Sequence, residues 1–152
     1  MASIKLKGDT SGEITISSPS VAGTNTLTLP ATTGTVTITS TGGVDSNTGL
    51  GDGTYDANTT GSNNVAVGKD ALTANTTGFK NTAIGQGALG DNTTGDNLTA
   101  IGQAALGDNT TANNNTAVGK SALRLNTTGA SNTAVGMNSL YNNTASSNVA
   151  VG

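Results

Sequence analysis

The chain has 152 residues and a net charge of −3, and its composition excludes more than its length does. It contains no His, Cys or Trp, so a Ser-His-Asp triad, a Cys nucleophile, a disulfide and the common zinc, haem and iron–sulfur sites are all ruled out. Its few cations (Lys5, Lys7, Lys69, Lys80, Lys120 and Arg124) form no basic stripe for a nucleic acid.

Leu, Ile, Val and Phe together supply 27 residues of 152, below the ~20% that a packed domain usually carries. Disorder would also call for high net charge, which is absent. No run of about 18 apolar residues exists, so no membrane insertion is expected. The remaining class is a repetitive β protein whose core is spread thinly along an axis. The expectation is a non-enzyme with no cofactor.

Residues 1–45 read as a small N-terminal β domain. Apolar residues alternate with Lys, Thr or Ser at Ile4 and Leu6, Ile14 and Ile16, Leu27 and Leu29, Val36 and Ile38. These are four short candidate strands, parted by Gly, Pro and Ser clusters. A core of about eight anchors without disulfide or metal is below the size that usually folds alone. This part is therefore expected to fold by self-association or by docking on a partner, with residues 40–46 as the joint.

From residue 46 to residue 152 the sequence is periodic. A Val/Ile/Leu-Gly pair places its Gly at 51, 68, 85, 102, 119, 136 and 152, in steps of 17 that end with one of 16. The Asn that opens Asn-Thr-Thr recurs at 58, 75, 92, 109 and 126, with Asn143 as the last variant. Such a period is the signature of a stacked repeat architecture. Each unit offers a short strand such as Thr82-Ala-Ile84, a glycine, an Ala-Leu anchor and an Asn-Thr-Thr turn. Gly and β-branched Thr in every unit argue against helix.

The expected fold is all-β: a parallel β-solenoid of 17-residue repeats in an elongated oligomer of parallel chains. Two rows are assigned to its core, Val67, Ile84, Ile101, Val118 and Val135, and Leu72, Leu89, Leu106, Leu123 and Leu140. Gly68, Gly85, Gly102, Gly119 and Gly136 are expected at bends, where a Cβ would obstruct. One Val, one Leu and two Ala per unit bury too little to order 17 residues singly. Units must stack, and the Val and Leu rows of several chains are expected to meet in the middle.

Two stretches resemble known families. Lys5-Leu-Lys-Gly-Asp-Thr-Ser-Gly-Glu-Ile-Thr-Ile16 and Val21-Ala-Gly-Thr-Asn-Thr-Leu-Thr-Leu-Pro-Ala-Thr-Thr-Gly-Thr-Val36 resemble an N-terminal segment of bacteriophage tail-fibre and other virion structural proteins. Asn64-Val-Ala-Val-Gly68 and Asn132-Thr-Ala-Val-Gly136 resemble the head repeats of trimeric autotransporter adhesins, although 17 residues is longer than is usual there. The resemblances imply a homotrimeric parallel β-roll located in a virion, as a tail fibre. Residues 1–45 would join other virion or tail proteins, and any tip that binds a host surface receptor would lie beyond Gly152. A bacterial cell-surface adhesin is the alternative, and a β-solenoid enzyme acting on polysaccharide the third.

Other patterns have blander readings. The Asn-Thr-Thr triplets at Asn58, Asn75, Asn92, Asn109 and Asn126 match glycosylation sequons, but repeated turn residues explain them better. Asp91 and Asp96 form a carboxylate pair without an aromatic sugar platform. Tyr55, Phe79 and Tyr141 are expected to cap or fill the core.

Overall fold

The computed structural model describes residues 47–152. The domain expected over 1–45 lies outside the described residues. Seven strands of three residues follow in order: β1 (Thr48–Leu50), β2 (Val65–Val67), β3 (Thr82–Ile84), β4 (Thr99–Ile101), β5 (Thr116–Val118), β6 (Thr133–Val135) and β7 (Val149–Val151). They form one parallel sheet in sequence order, each strand paired with the next. Thr82 faces Thr99 and Ile84 faces Ile101; the same register repeats up to Thr116 opposite Thr133. At the last step Thr133 faces Val149, one residue sooner. This is an all-β parallel solenoid with coils at 47–63, 64–80, 81–97, 98–114, 115–131 and 132–147, followed by β7.

Coil-to-coil hydrogen bonds continue outside the strands. Gly85 N–H donates to the Val67 carbonyl at 2.7 Å, Leu89 N–H to Ala105 at 3.1 Å, and Thr93 N–H to Thr110 at 2.9 Å. Each coil therefore satisfies its backbone through its neighbours, which is how a three-residue strand can persist at all.

The glycine after each strand meets the requirement read from the sequence. Gly102 has φ +134°, and a Cβ there would lie 2.5 Å from the Gly119 carbonyl oxygen of the next coil. After it comes a tight turn closed by Ala105 N–H to the Gly102 carbonyl at 3.2 Å. Its third residue, Ala104, has φ 54°. The next positive φ is less expected, because it falls on leucine: Leu72, Leu89, Leu106, Leu123 and Leu140 have φ 49–52°. A left-handed residue costs roughly 1–2 kcal/mol. Burying a leucine returns about as much, and Leu72, Leu89, Leu106 and Leu123 are fully buried.

The core differs from the expectation in one row. The Leu row is inside the coil, with Leu140 partly buried and packed against it. The Val/Ile row is not: Ile84, Ile101 and Val135 are 38–39% exposed, and Val67 and Val118 are half-buried. The inward residue of each strand is the alanine between, Ala66, Ala83, Ala100, Ala117 and Ala134, all at 0% exposure. The period of two holds, with the opposite face turned in. The reason is room: where the leucine of each coil already fills the interior, only a methyl fits opposite it.

Candidate interaction surface

With alanine turned inward, strands β2–β7 present their two β-branched neighbours outward, and β1 does the same with Thr48 and Leu50 about Gly49. One outer row runs Leu50, Val67, Ile84, Ile101, Val118, Val135, Val151, and beside it runs Thr48, Val65, Thr82, Thr99, Thr116, Thr133, Val149. The first row is apolar at every coil. Ile84, Ile101 and Val135 are 38–39% exposed with Val67 and Val118 half-buried, and the end residues Leu50 and Val151 reach 57% and 79%, so the row forms a stripe down one face. Isolated exposed apolar residues are ordinary, whereas a contiguous stripe is a candidate contact surface. Its edge is polar, since the residue after each bend glycine is Asp52, Lys69, Gln86, Gln103 or Lys120, with Met137 as the exception.

Two ladders of buried asparagines tie the coils together beneath this surface. In the first, a carboxamide works in both directions. Asn81 Nδ2 donates to the Gly95 carbonyl at 2.8 Å, and Asn81 Oδ1 accepts the backbone N–H of Leu98 at 2.9 Å. Asn47, Asn64, Asn115 and Asn132 are placed alike. The second ladder is the Asn of Asn-Thr-Thr: Asn92 Nδ2 donates to Asn75 Oδ1 at 3.0 Å and to the Gly95 carbonyl at 3.1 Å. Asn75, Asn92, Asn109 and Asn126 are fully buried. Their sequon amides are therefore part of the interior and are closed to glycan transfer.

The charged candidates are dispersed. Asp96 Oδ1 accepts the Phe79 N–H at 2.9 Å and serves the turn. Asp91 stands elsewhere, in a shallow groove with Asp70, Asp108 and Arg124, floored by Gly87, Gly90 and Gly107. Arg124 Nε lies 3.8 Å from Asp108 Oδ1, both partly exposed, an arrangement of little energetic weight. Among the described residues no group of three or more carboxylates could hold a metal ion, and no helix is long and apolar enough to cross a membrane.

Of the aromatics, Tyr55 takes the leucine slot in its coil and packs against the core. Its hydroxyl donates to the Thr48 carbonyl at 3.1 Å. Phe79 is partly exposed, with Lys80 Nζ 5.7 Å from its ring centre.

The alanine row and the two-way asparagines are what reading the residues missed. A signal for the alanines was present: Ala holds the strand centre from 66 to 150 in every unit, while the flanking positions vary among Val, Ile and Thr. Comparison with known protein families, curated proteins and solved structures gives no match in any of the three.

Proposed function

We propose that the chain is a structural fibre protein, the shaft of a homotrimeric phage tail fibre that supports attachment to a host cell. The observation that carries this reading is the uninterrupted apolar stripe from Leu50 to Val151. Three copies arranged side by side would cover one another's stripe, joining Ile84 to Ile84 and Ile101 to Ile101 about a common axis. The leucine rows stay within each coil, so the Val/Ile row alone supplies the contact between chains. Such a rod works by geometry: it holds a binding surface away from its base and triples weak contacts with the target. The string over residues 5–36 favours a virion over a bacterial surface, and residues 1–45 are the proposed joint to other virion proteins.

Sedimentation equilibrium tests the assembly, and immunogold labelling in electron micrographs tests the location. Three chains per particle and label on phage fibres are the expected results. A monomer at micromolar concentration would overturn the trimer, and label on the bacterial envelope alone would favour the adhesin.

A further inference from the structure

The two asparagine ladders break at one level. The first is interrupted by Leu98, so the Asn115 N–H has no carboxamide oxygen in the coil before it. The second breaks in the same coil: Asn109 Oδ1 is buried without a partner. Its counterparts Asn58, Asn75 and Asn92 each accept from the Asn Nδ2 of the next coil at 2.9–3.0 Å.

Threonine bonds stop at this seam as well. Thr59, Thr76 and Thr93 each donate through N–H and through Oγ1 to the Thr carbonyl one coil on, at 2.9–3.0 Å. Thr77 and Thr94 N–H reach the same carbonyls at 3.2 Å. Among the described residues, neither Thr110 nor Thr111 makes any such bond to Thr127. The corner remains slack at the following seam, where the turn is one residue shorter and Asn143 Nδ2 reaches Asn126 Oδ1 at 3.4 Å.

At the seam after residue 114, one methyl group accounts for the lost threonine and Asn109 bonds. Positions 61, 78, 95 and 129 are glycine, but position 112 is alanine. A Cβ on Gly78 would lie 2.5 Å from Asn75 Oδ1 and 2.6 Å from the Gly95 carbonyl oxygen of the next coil. An alanine can occupy such a site only if the two coils part there. Leu98 is the matching change, because residue 98 is where an asparagine amide would donate to the carbonyl of residue 112, as Asn81 does to Gly95. Leu98 and Ala112, at 1% and 5% exposure, thus stand where the other coils make an amide–carbonyl bond.

The rest of the seam is closed. Thr99 N–H donates to Asn115 at 2.9 Å, Gly119 N–H to Ile101 at 2.7 Å, and Leu106 N–H to Ala122 at 3.0 Å. We infer that the junction between coils 98–114 and 115–131 is a one-sided hinge, at which the threonine corner opens while the strand and leucine sides stay shut. Over the four preceding coils the corner is fully bonded, so the shaft has a stiff segment and a compliant one, with the change at Ala112. This holds for one chain or three.

Amide hydrogen exchange of the whole chain, read residue by residue by NMR, tests it. Thr110 and Thr111 are expected to exchange at least about 100-fold faster than Thr93 and Thr94, which have similar exposure but are bonded. Gly119 and Leu106 are expected to stay as protected as Gly102 and Leu89. Ala112→Gly should slow Thr110 and Thr111 at least tenfold, and Gly95→Ala should move the fast exchange to Thr93 and Thr94. Equal protection at the two threonine pairs in the parent chain would overturn the hinge, as would indifference to Ala112→Gly. Loss of protection at Gly119 together with Thr110 would mean general fraying and would equally refute it. If Gly95→Ala does not fold, the glycine variant decides alone.

Discussion

The side-chain oxygen of Asn64 accepts the backbone N–H of Asn81, 17 residues further on, at 2.9 Å. The Asn64 amide meanwhile donates to Gly78 in its own coil, also at 2.9 Å. One carboxamide thus closes a coil and ties it to the next, and it is fully buried while doing so. A buried polar group with every bond made costs little, but removal of its partner is expensive.

Truncation at the next rung should therefore be costly. Asn81→Ala removes the bonds to Gly95 and from Leu98 and leaves the Leu98 N–H buried without an acceptor. The expected loss is about 2–4 kcal/mol in urea unfolding. Asn81→Leu, which copies the natural residue at 98, should lose less because it fills the space. Two variants within about 0.5 kcal/mol of the parent would remove the ladder from the account of stability.

The bend glycines separate from other glycines by what surrounds them. Gly102→Ala places a methyl 2.5 Å from the Gly119 carbonyl oxygen at φ +134°. Backbone must move to admit it, and a loss above about 4 kcal/mol or failure to fold is expected. Gly87 has φ +64° and open space around the added Cβ, and its equivalents in other coils are Asp70, Ala104, Ser121 and Asn138. Gly87→Ala should cost about 1 kcal/mol, the left-handed penalty less the entropy gained in the unfolded chain. Thermal melts followed by circular dichroism give both values.

A charge on the outer stripe tests association apart from folding. Ile101→Asp sits on the outward face at 38% exposure, so the coil itself should tolerate it to within about 1 kcal/mol. In a trimer three such carboxylates would converge. Sedimentation should then show single chains with an unchanged far-ultraviolet spectrum. A trimer that survives would place its contact on another face.

Alkaline pH should weaken the first coil. Burial pushes the Tyr55 hydroxyl above its ordinary value of about 10. A group whose folded pKa is raised stabilises the fold fully below its unfolded value and loses that contribution as pH climbs toward the folded one. The melting temperature of the parent should fall between pH 10 and 12 more steeply than that of Tyr55→Leu, which carries the residue of the other coils. Parallel pH profiles for the two would show that Tyr55 ionises without unfolding the coil.

The repeat, the strands and the bend glycines were legible because each follows from periodicity and backbone sterics in the residues themselves. The facing of the strand was not. In Thr82-Ala-Ile84 the larger apolar side chain looks like the core residue, yet Ile84 is out and Ala83 in. That choice is set by the width of the coil, a property of the closed turn and not of the tripeptide. The same holds for Leu89 at φ 52°: leucine has no preference for the left-handed region, and only the need to reach the interior puts it there. For the asparagines a place in a turn was legible, whereas the bond one coil away needed the stack to exist first. The outer stripe, as the candidate site, became visible only once alanine was seen to face inward.

The short step from Thr133 to Val149 leaves strand pairing intact. The missing residue is absorbed wholly between Asn143 and Asn148, where Asn143 Nδ2 reaches the Ala145 carbonyl two residues on, in place of the usual three. Coil length can thus change by one residue at that edge without disturbing the sheet, as long as the Ala145 carbonyl still receives the Asn132 and Asn143 amides.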